Sequence, residues 1–281
     1  MSLPIIKIEN ERGEVLNLST DVRYVPMLTG TGPPGATINR TKVATSHGSR
    51  FNSASVDERS LVLTVYIVRD IARARMNLYR WLGAGQYIKI YYEADGMNVW
   101  TEGYIEHPEV NPWSQDQNIM APIVCPDPFW RDAGESYTDA SMVTSCFEFP
   151  FAIPEEGIEL STIDITASAA ISNKGHVPTG IRIEIKARVH SLNPRIYNVE
   201  TGEFIGANID MEAGDRLIID TEDGQKGLWL MHKGNRTNVL NNIMAGHTWL
   251  QLPVGQTEFA YTVDTGDVEL LIYHMNKYQG V

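Results

Sequence analysis

The sequence predicts a mainly β protein in two parts: an α+β domain of strands with one helix, then a β-sandwich. Three observations predict it. Short segments of alternating apolar and polar residues recur along most of the chain. A single stretch, near residue 75, repeats apolar residues at helical spacing. Beyond residue 166, turn signals return about every ten residues, the spacing of a sandwich.

The elements follow in order. "PIIKIEN" (4–10) alternates, with Ile6 and Ile8 on one side, and "GEVLNLS" leads on through Val15 and Leu16 around a hairpin. "LTGTGPPGA" (28–36) holds three glycines and two prolines, which forbid regular structure there. In "SVDERSLVLTVYIV" (55–68), Leu61, Leu63, Val65 and Ile67 point one way, with Val62, Thr64, Tyr66 and Val68 opposite. A strand apolar on both faces is covered on both, by a helix or by a partner chain. Leu61, Leu63, Val65, Ile67, Val62 and Tyr66 are therefore the candidate oligomer interface.

The helix is expected over 70–82. Asp70 suits its N-cap, and Ile71, Ala74, Leu78 and Leu82 recur on one face, with Arg73, Asn77 and Arg80 opposite. Gly83 and Gly85 stop it. "QYIKIYYEA", "NVWTEGYIEHPEV" and "QDQNIMAPIVCP" then read as three strands.

"CPDPFW" closes this domain. Pro126 and Pro128 force Cys125 and Asp127 into extended conformations and remove two backbone donors, so strand pairing stops. Phe129 and Trp130 offer large apolar faces to pin the exit. The expected boundaries are 1–132 for the first domain and 133–281 for the sandwich, entered through an irregular segment, 133–165, that includes "FEFPFAIP" (147–154). Within the sandwich, Ile181, Ile183, Ile185, Ala187 and Val189 face in, while Arg182, Glu184, Lys186, Arg188 and His190 face out. Further strands follow to the C-terminus, with no helix of any length after residue 82.

Composition narrows the function. The 281 residues are 43% hydrophobic and 21% charged, enough apolar material for full cores. With 23 basic residues against 35 acidic ones, the net charge of −12 argues against a grip on nucleic-acid phosphates, and no sequence-specific nucleic-acid binding is expected. No apolar run reaches the length of a membrane span, and the N-terminus lacks the pattern of a signal peptide.

Enzyme signatures are absent: no G-x-S-x-G elbow, H-E-x-x-H helix, Walker loop or dinucleotide fingerprint occurs. Cys125 and Cys146 have no ligand-spaced partner, so two unbridged thiols are expected. The seven histidines are scattered, and His190 and His274 read as solvated. Asp210, Glu212, Asp215, Asp220, Glu222 and Asp223 crowd fourteen residues, and a hydrolase needs such carboxylates. Their turn positions favour a solvated acidic rim. Trp229, Trp249 and Tyr273 supply flat faces on which a sugar ring could stack. No cofactor and no metal are expected.

Several stretches together resemble one family. "CPDPFW", then "FEFPF", "ISNKGHVPTGIRIEI" (171–185), "SLNPRIYNVETGEFI" (191–205), "MEAGDRLIID" (211–220) and the terminal "YQGV" follow the order seen in distal tail proteins of long-tailed bacteriophages and prophages. "GTGPPGATINRT" and "HGSRFNSASVDERSLVLTVYI" agree in the first domain. The resemblance implies a ring-forming first domain, usually of six copies, and a galectin-like or carbohydrate-module-like sandwich that projects outward.

It further implies a non-enzymatic structural role as a baseplate hub. The ring would join the tail tube to the tip and receptor-binding proteins in the virion tail, after assembly in the host cytoplasm. The rival readings are a carbohydrate-binding module using Trp229, Trp249 or Tyr273, and a polysaccharide hydrolase using the carboxylates of 210–223.

Overall fold

Period-two alternation becomes strands throughout. The computed structural model describes residues 3–42, 47–113, 116–139 and 168–281. The chain divides into two units, Met1–Gly134 with Lys277–Val281, and Glu135–Asn276. Cys146, "FEFPF" and most of the segment 133–165 lie outside the described residues.

The first unit contains β1 (Ile5–Glu9), β2 (Val15–Asn17), β3 (Tyr24–Thr29), β4 (Ala36–Lys42), β5 (Ser49–Val56), β6 (Arg59–Ile67), α1 (Ile71–Trp81), β7 (Tyr87–Ala94), β8 (Met97–Ile105), β9 (Glu109–Val110), β10 (Asn118–Cys125) and β11 (Trp130–Asp132). Its main sheet runs β2-β1-β7-β8-β10-β6-β3, with β11 also pairing β8 and β9 also pairing β10; β4 and β5 form a separate ribbon. One face of the sheet is the core. Ile8, Leu61, Leu63, Val65, Ile90, Ile119 and Ala121 are fully buried there with Ala74 and Leu78 of the helix. Each buried Leu or Ile contributes about 2 kcal/mol through loss of apolar surface to water.

The helix is one residue shorter at each end than expected. Asp70 occupies the N-cap position but makes no side-chain cap bond. It adopts the left-handed region (φ 47°), which a short polar residue tolerates, so that β6 can turn directly into the helix. Ile71 is 39% exposed, because the first turn overhangs the core that Ala74, Leu78 and Leu82 fill.

The second unit contains β12 (Ser136–Asp139), β13 (Ser168–Asn173), β14 (Thr179–Ala187), β15 (Ser191–Leu192), β16 (Arg195–Asn198), β17 (Phe204–Gly206), β18 (Asp210–Met211), β19 (Arg216–Asp220), β20 (Gly227–His232), β21 (Asn235–Asn238), β22 (Gln251–Leu252), β23 (Gly255–Thr262) and β24 (Val268–His274). A sheet ordered β12-β24-β14-β19-β20-β21 and a second, β13-β23-β16-β17, share one core of aliphatic residues around Phe259.

Ile181, Ile183, Ile185 and Ala187 are buried as expected, but Val189 is 49% exposed, because β14 ends at Ala187 and the chain bends away. Among the described residues beyond α1, one turn of 3-10 helix, Leu240–Asn242, is the only helical element.

The last strand, β25 (Lys277–Tyr278), departs from the expected boundary at 132/133. It pairs β11 (Trp130 opposite Tyr278, Arg131 opposite Lys277) and so completes the first unit's sheet. The main-chain N–H of Val281 donates to the Thr31 carbonyl at 3.1 Å. The five C-terminal residues thus fold with residues 1–134, although they follow the sandwich directly in sequence.

Candidate functional site

The face of the first unit's sheet opposite the core is divided in two. On β1, β7 and β8 it is polar and self-satisfied. Tyr91 donates its hydroxyl to Glu9 and Tyr87 donates to Glu102, each at 2.6 Å, and the Lys89 ammonium sits 3.7 Å from the Trp100 ring centroid.

On β10, β6 and β3 the same face is apolar. Register places Met120 opposite Thr64 and Thr64 opposite Met27; Tyr66 lies opposite Val25, and Val62 lies between Pro122 and Thr29. Val25 is 52% exposed and Met27 is 47% exposed, while Val62, Tyr66, Met120 and Pro122 are half-buried.

This geometry corrects the expected interface. Leu61, Leu63, Val65 and Ile67 belong to the core of the folded chain, because the helix and neighbouring strands cover their face completely. Only Val62 and Tyr66 of the six face outward. The same surface draws Met120 and Pro122 from a stretch that alternation marks only as a strand, and Val25 and Met27 from β3, which the sequence reading did not mark. Edge strand β3, which has one neighbour among the described residues, carries Pro26. A proline there blunts further strand addition, so the surface is suited to packing by its face rather than by its edge.

The β4–β5 ribbon adds a second exposed apolar element. Every one of its residues is exposed, including Ile38, Phe51 and Val56 at 52%, 62% and 50%. An isolated two-stranded hairpin in water is marginal. Among the described residues, 14 of the 19 exposed large apolar side chains belong to the first unit.

"CPDPFW" forms the corner between β10 and β11. Asp127 accepts from the Phe129 N–H at 3.1 Å and from the Arg131 guanidinium at 2.6 Å, which sets the turn. Cys125 and Trp130 are fully buried, and Arg59 reaches the Pro128 carbonyl at 2.7 Å. Burial pushes the Cys125 thiol up to about 11, far from a nucleophile's range. Arg59 was not singled out by sequence reasoning, since a lone arginine before an apolar strand carries no local signal.

The candidate chemistry is dispersed. Asp215 is buried, accepting from His232 Nδ1 at 2.9 Å and from the Glu212 N–H at 3.0 Å, rather than solvated on a rim as expected. It is a turn-fixing carboxylate. His274 is buried too, because β24 is an inner strand, whereas His190 is exposed and 2.7 Å from Asp210. Among the described residues no group of three His, Cys, Asp or Glu side chains is placed to hold a metal ion. No helix among the described residues is long and apolar enough to cross a membrane. Trp249 packs on the sandwich core against His247, whereas Trp229 and Tyr273 lie on the outer face of one sheet.

Comparison with known proteins accords with this architecture. The fold is similar to that of the SPP1 Dit protein, solved as a paradigm of the hub adsorption apparatus in phages infecting Gram-positive bacteria. The TM-score is 0.70 at 13% identity, covering 97% of this chain and 98% of that one. It is also similar to a chain of the phage p2 baseplate in its activated conformation, with Ca (TM-score 0.57, 9% identity) and with Sr (0.58, 8%), each over 100% of both chains. None of the curated proteins matches the sequence. Residues 174–278, a little over a third of the chain, match the family described as siphovirus-type tail component, C-terminal domain.

Proposed function

We propose that the chain is a structural, non-enzymatic component of a phage or prophage tail tip, a ring-forming hub that joins the tail tube to the host-adsorption apparatus. The observation that carries this is the apolar surface of Val25, Met27, Val62 and Tyr66 beside an entirely exposed ribbon, on a fold shared with tail-hub and baseplate proteins. A face of that composition is costly in water and is relieved when a sister copy packs on it, at about 25 cal/mol per Å² of apolar surface removed. Repetition of one heterologous contact around an axis closes a ring. Six copies is the number the family resemblance implies, and the partners are tail-tube and tip proteins in the virion tail, met after assembly in the host cytoplasm. The net charge of −12 suits a channel through which DNA passes without sticking.

Negative-stain images and light scattering of the purified chain test this. Closed rings with a central hole are expected, and Met27→Asp with Val62→Asp leaves folded monomers. Monomeric wild-type particles at every concentration and in the presence of tail-tube protein overturn the reading.

A further inference from the structure

In the second unit, the sheet β12-β24-β14-β19-β20-β21 packs one face on the core and carries an open groove of about 770 Å³ on the other. Strand register explains what lines it. One cross-strand row reads Tyr273, Arg182, Asp220, Gly227, and the next reads Glu184, Ile218, Trp229. Trp229 does not stand up from the sheet. Its indole reaches over Gly227, where a Cβ would meet the ring at 2.5 Å, so only glycine allows the ring to lie there. The Arg236 guanidinium covers the ring at 4.3 Å from its centroid. Arg236 belongs to β21, an end strand whose residues are all exposed, so it can swing aside.

We propose that this groove binds a neutral pyranose, stacked on Trp229 in the place Arg236 now occupies. A laid-down indole offers the flat apolar face that the C–H side of a sugar ring needs. Around it stand hydrogen-bond donors and acceptors in near balance. Arg182, Lys226 and Arg236 face Glu184 and Asp220, and guanidinium and carboxylate groups hold vicinal hydroxyls in pairs. Glu184 is held between Arg182 Nε at 3.8 Å and Arg216 Nη1 at 3.9 Å, so its direction is set before any ligand arrives. Lys226 is paired with Asp223 at 2.7 Å and Arg182 with Glu135 at 2.9 Å, so these cations of the groove are already matched and gain little from an anionic ligand. Three strand spacings, roughly 14 Å, separate Trp229 from Tyr273, whose ring lies under Arg182 at 4.5 Å and beside Tyr137 at 6.0 Å. The face is long enough for more than one sugar unit.

The test is ligand-observed NMR titration of the full chain with glucose, galactose, N-acetylglucosamine, their disaccharides and glucuronate. A neutral sugar binding with a dissociation constant near or below about 1 mM is expected. Trp229→Ala should weaken it at least about tenfold with unchanged thermal unfolding, whereas Arg236→Ala retains or tightens it. No binding by the wild-type chain, equal binding by Trp229→Ala, loss in Arg236→Ala, or preference for glucuronate overturns the proposal.

Discussion

The Arg59 guanidinium lies over the Trp130 indole, 5.6 Å from its ring centroid, with both residues sealed from solvent. Its Nε donates to the Pro128 carbonyl at 2.7 Å, Nη1 to Gly30 and Gly32 at 2.9 and 2.6 Å, and Nη2 to Gln279 at 2.5 Å. Burial pulls its pKa below the ordinary arginine value, yet the side chain stays charged. One cation thus ties the glycine-rich loop, the proline corner and the C-terminus together. Arg59→Met strands four carbonyls away from water, and Arg59→Lys offers a point charge in place of a fork. Both should cost about 3 kcal/mol or more, read as a loss of first-unit stability in guanidinium denaturation. A loss below about 1 kcal/mol would show that water replaces the guanidinium without penalty.

The C-terminus offers a second test of the same knot. Tyr278 pairs with Trp130, Gln279 accepts from Arg59, Gly280 lies against Gly32, and Val281 bonds Thr31. Removing residues 277–281 should lower the unfolding temperature of the first unit while that of the second holds. Calorimetry that finds both transitions unmoved would contradict this account.

How much of this was legible depends on distance along the chain. The alternation of Ile181 to Ala187 reads directly as a strand, because period two is local. It failed at Val189, where a bend rather than composition ends the strand. Alternation also marked both faces of 61–68 as apolar, but which one the helix takes is a tertiary fact. The strand 118–125 tolerates Pro122 because that residue sits between the β9 and β8 pairings, where its missing N–H is not called on. Arg59 and Gln279 are 220 residues apart, and nothing near either announces the other. Asp215 looked like a turn residue and is one, but its burial comes from His232 on the next strand. Trp229 is flanked by Leu228 and Leu230, a setting typical of core, and Gly227 is the signal that lays it on the surface.

Cys125 gives the pH dependence a sign. Burial raises its thiol from the ordinary 9.0 to about 11, and burial with a hydrogen bond to Glu9 raises Tyr91 from 10.0 to about 12. Both groups hold their protons more tightly when folded. Their contribution is therefore complete below pH 9 and is lost as pH climbs through 11 to 12. Stability should fall across that window by at most about 1.4 kcal/mol per pH unit for each group. Cys125→Ala should flatten the lower part of the fall, seen in urea titrations at stepped pH. An unchanged slope in that variant would remove the thiol from the explanation.

The β4–β5 ribbon separates folding from assembly. None of its described residues is buried, and its strands pair only with each other, with a register shift at Asn39/Arg40. Its contribution to the stability of a single copy is therefore small, whereas Ile38, Phe51 and Val56 are apolar surface available to a neighbour. Replacing residues 37–55 with a short glycine–serine turn should leave the unfolding temperature within about 2 °C of the parent, since surface changes that touch no core rarely exceed about 0.5 kcal/mol. The same deletion should shift mass photometry from ring to monomer. The softer change Phe51→Ser should weaken association without abolishing it. Rings that persist in the deletion would assign closure to the Val25–Tyr66 surface alone. A chain that no longer folds would mean that the ribbon, despite its exposure, supports β6, the strand that begins just beyond its end.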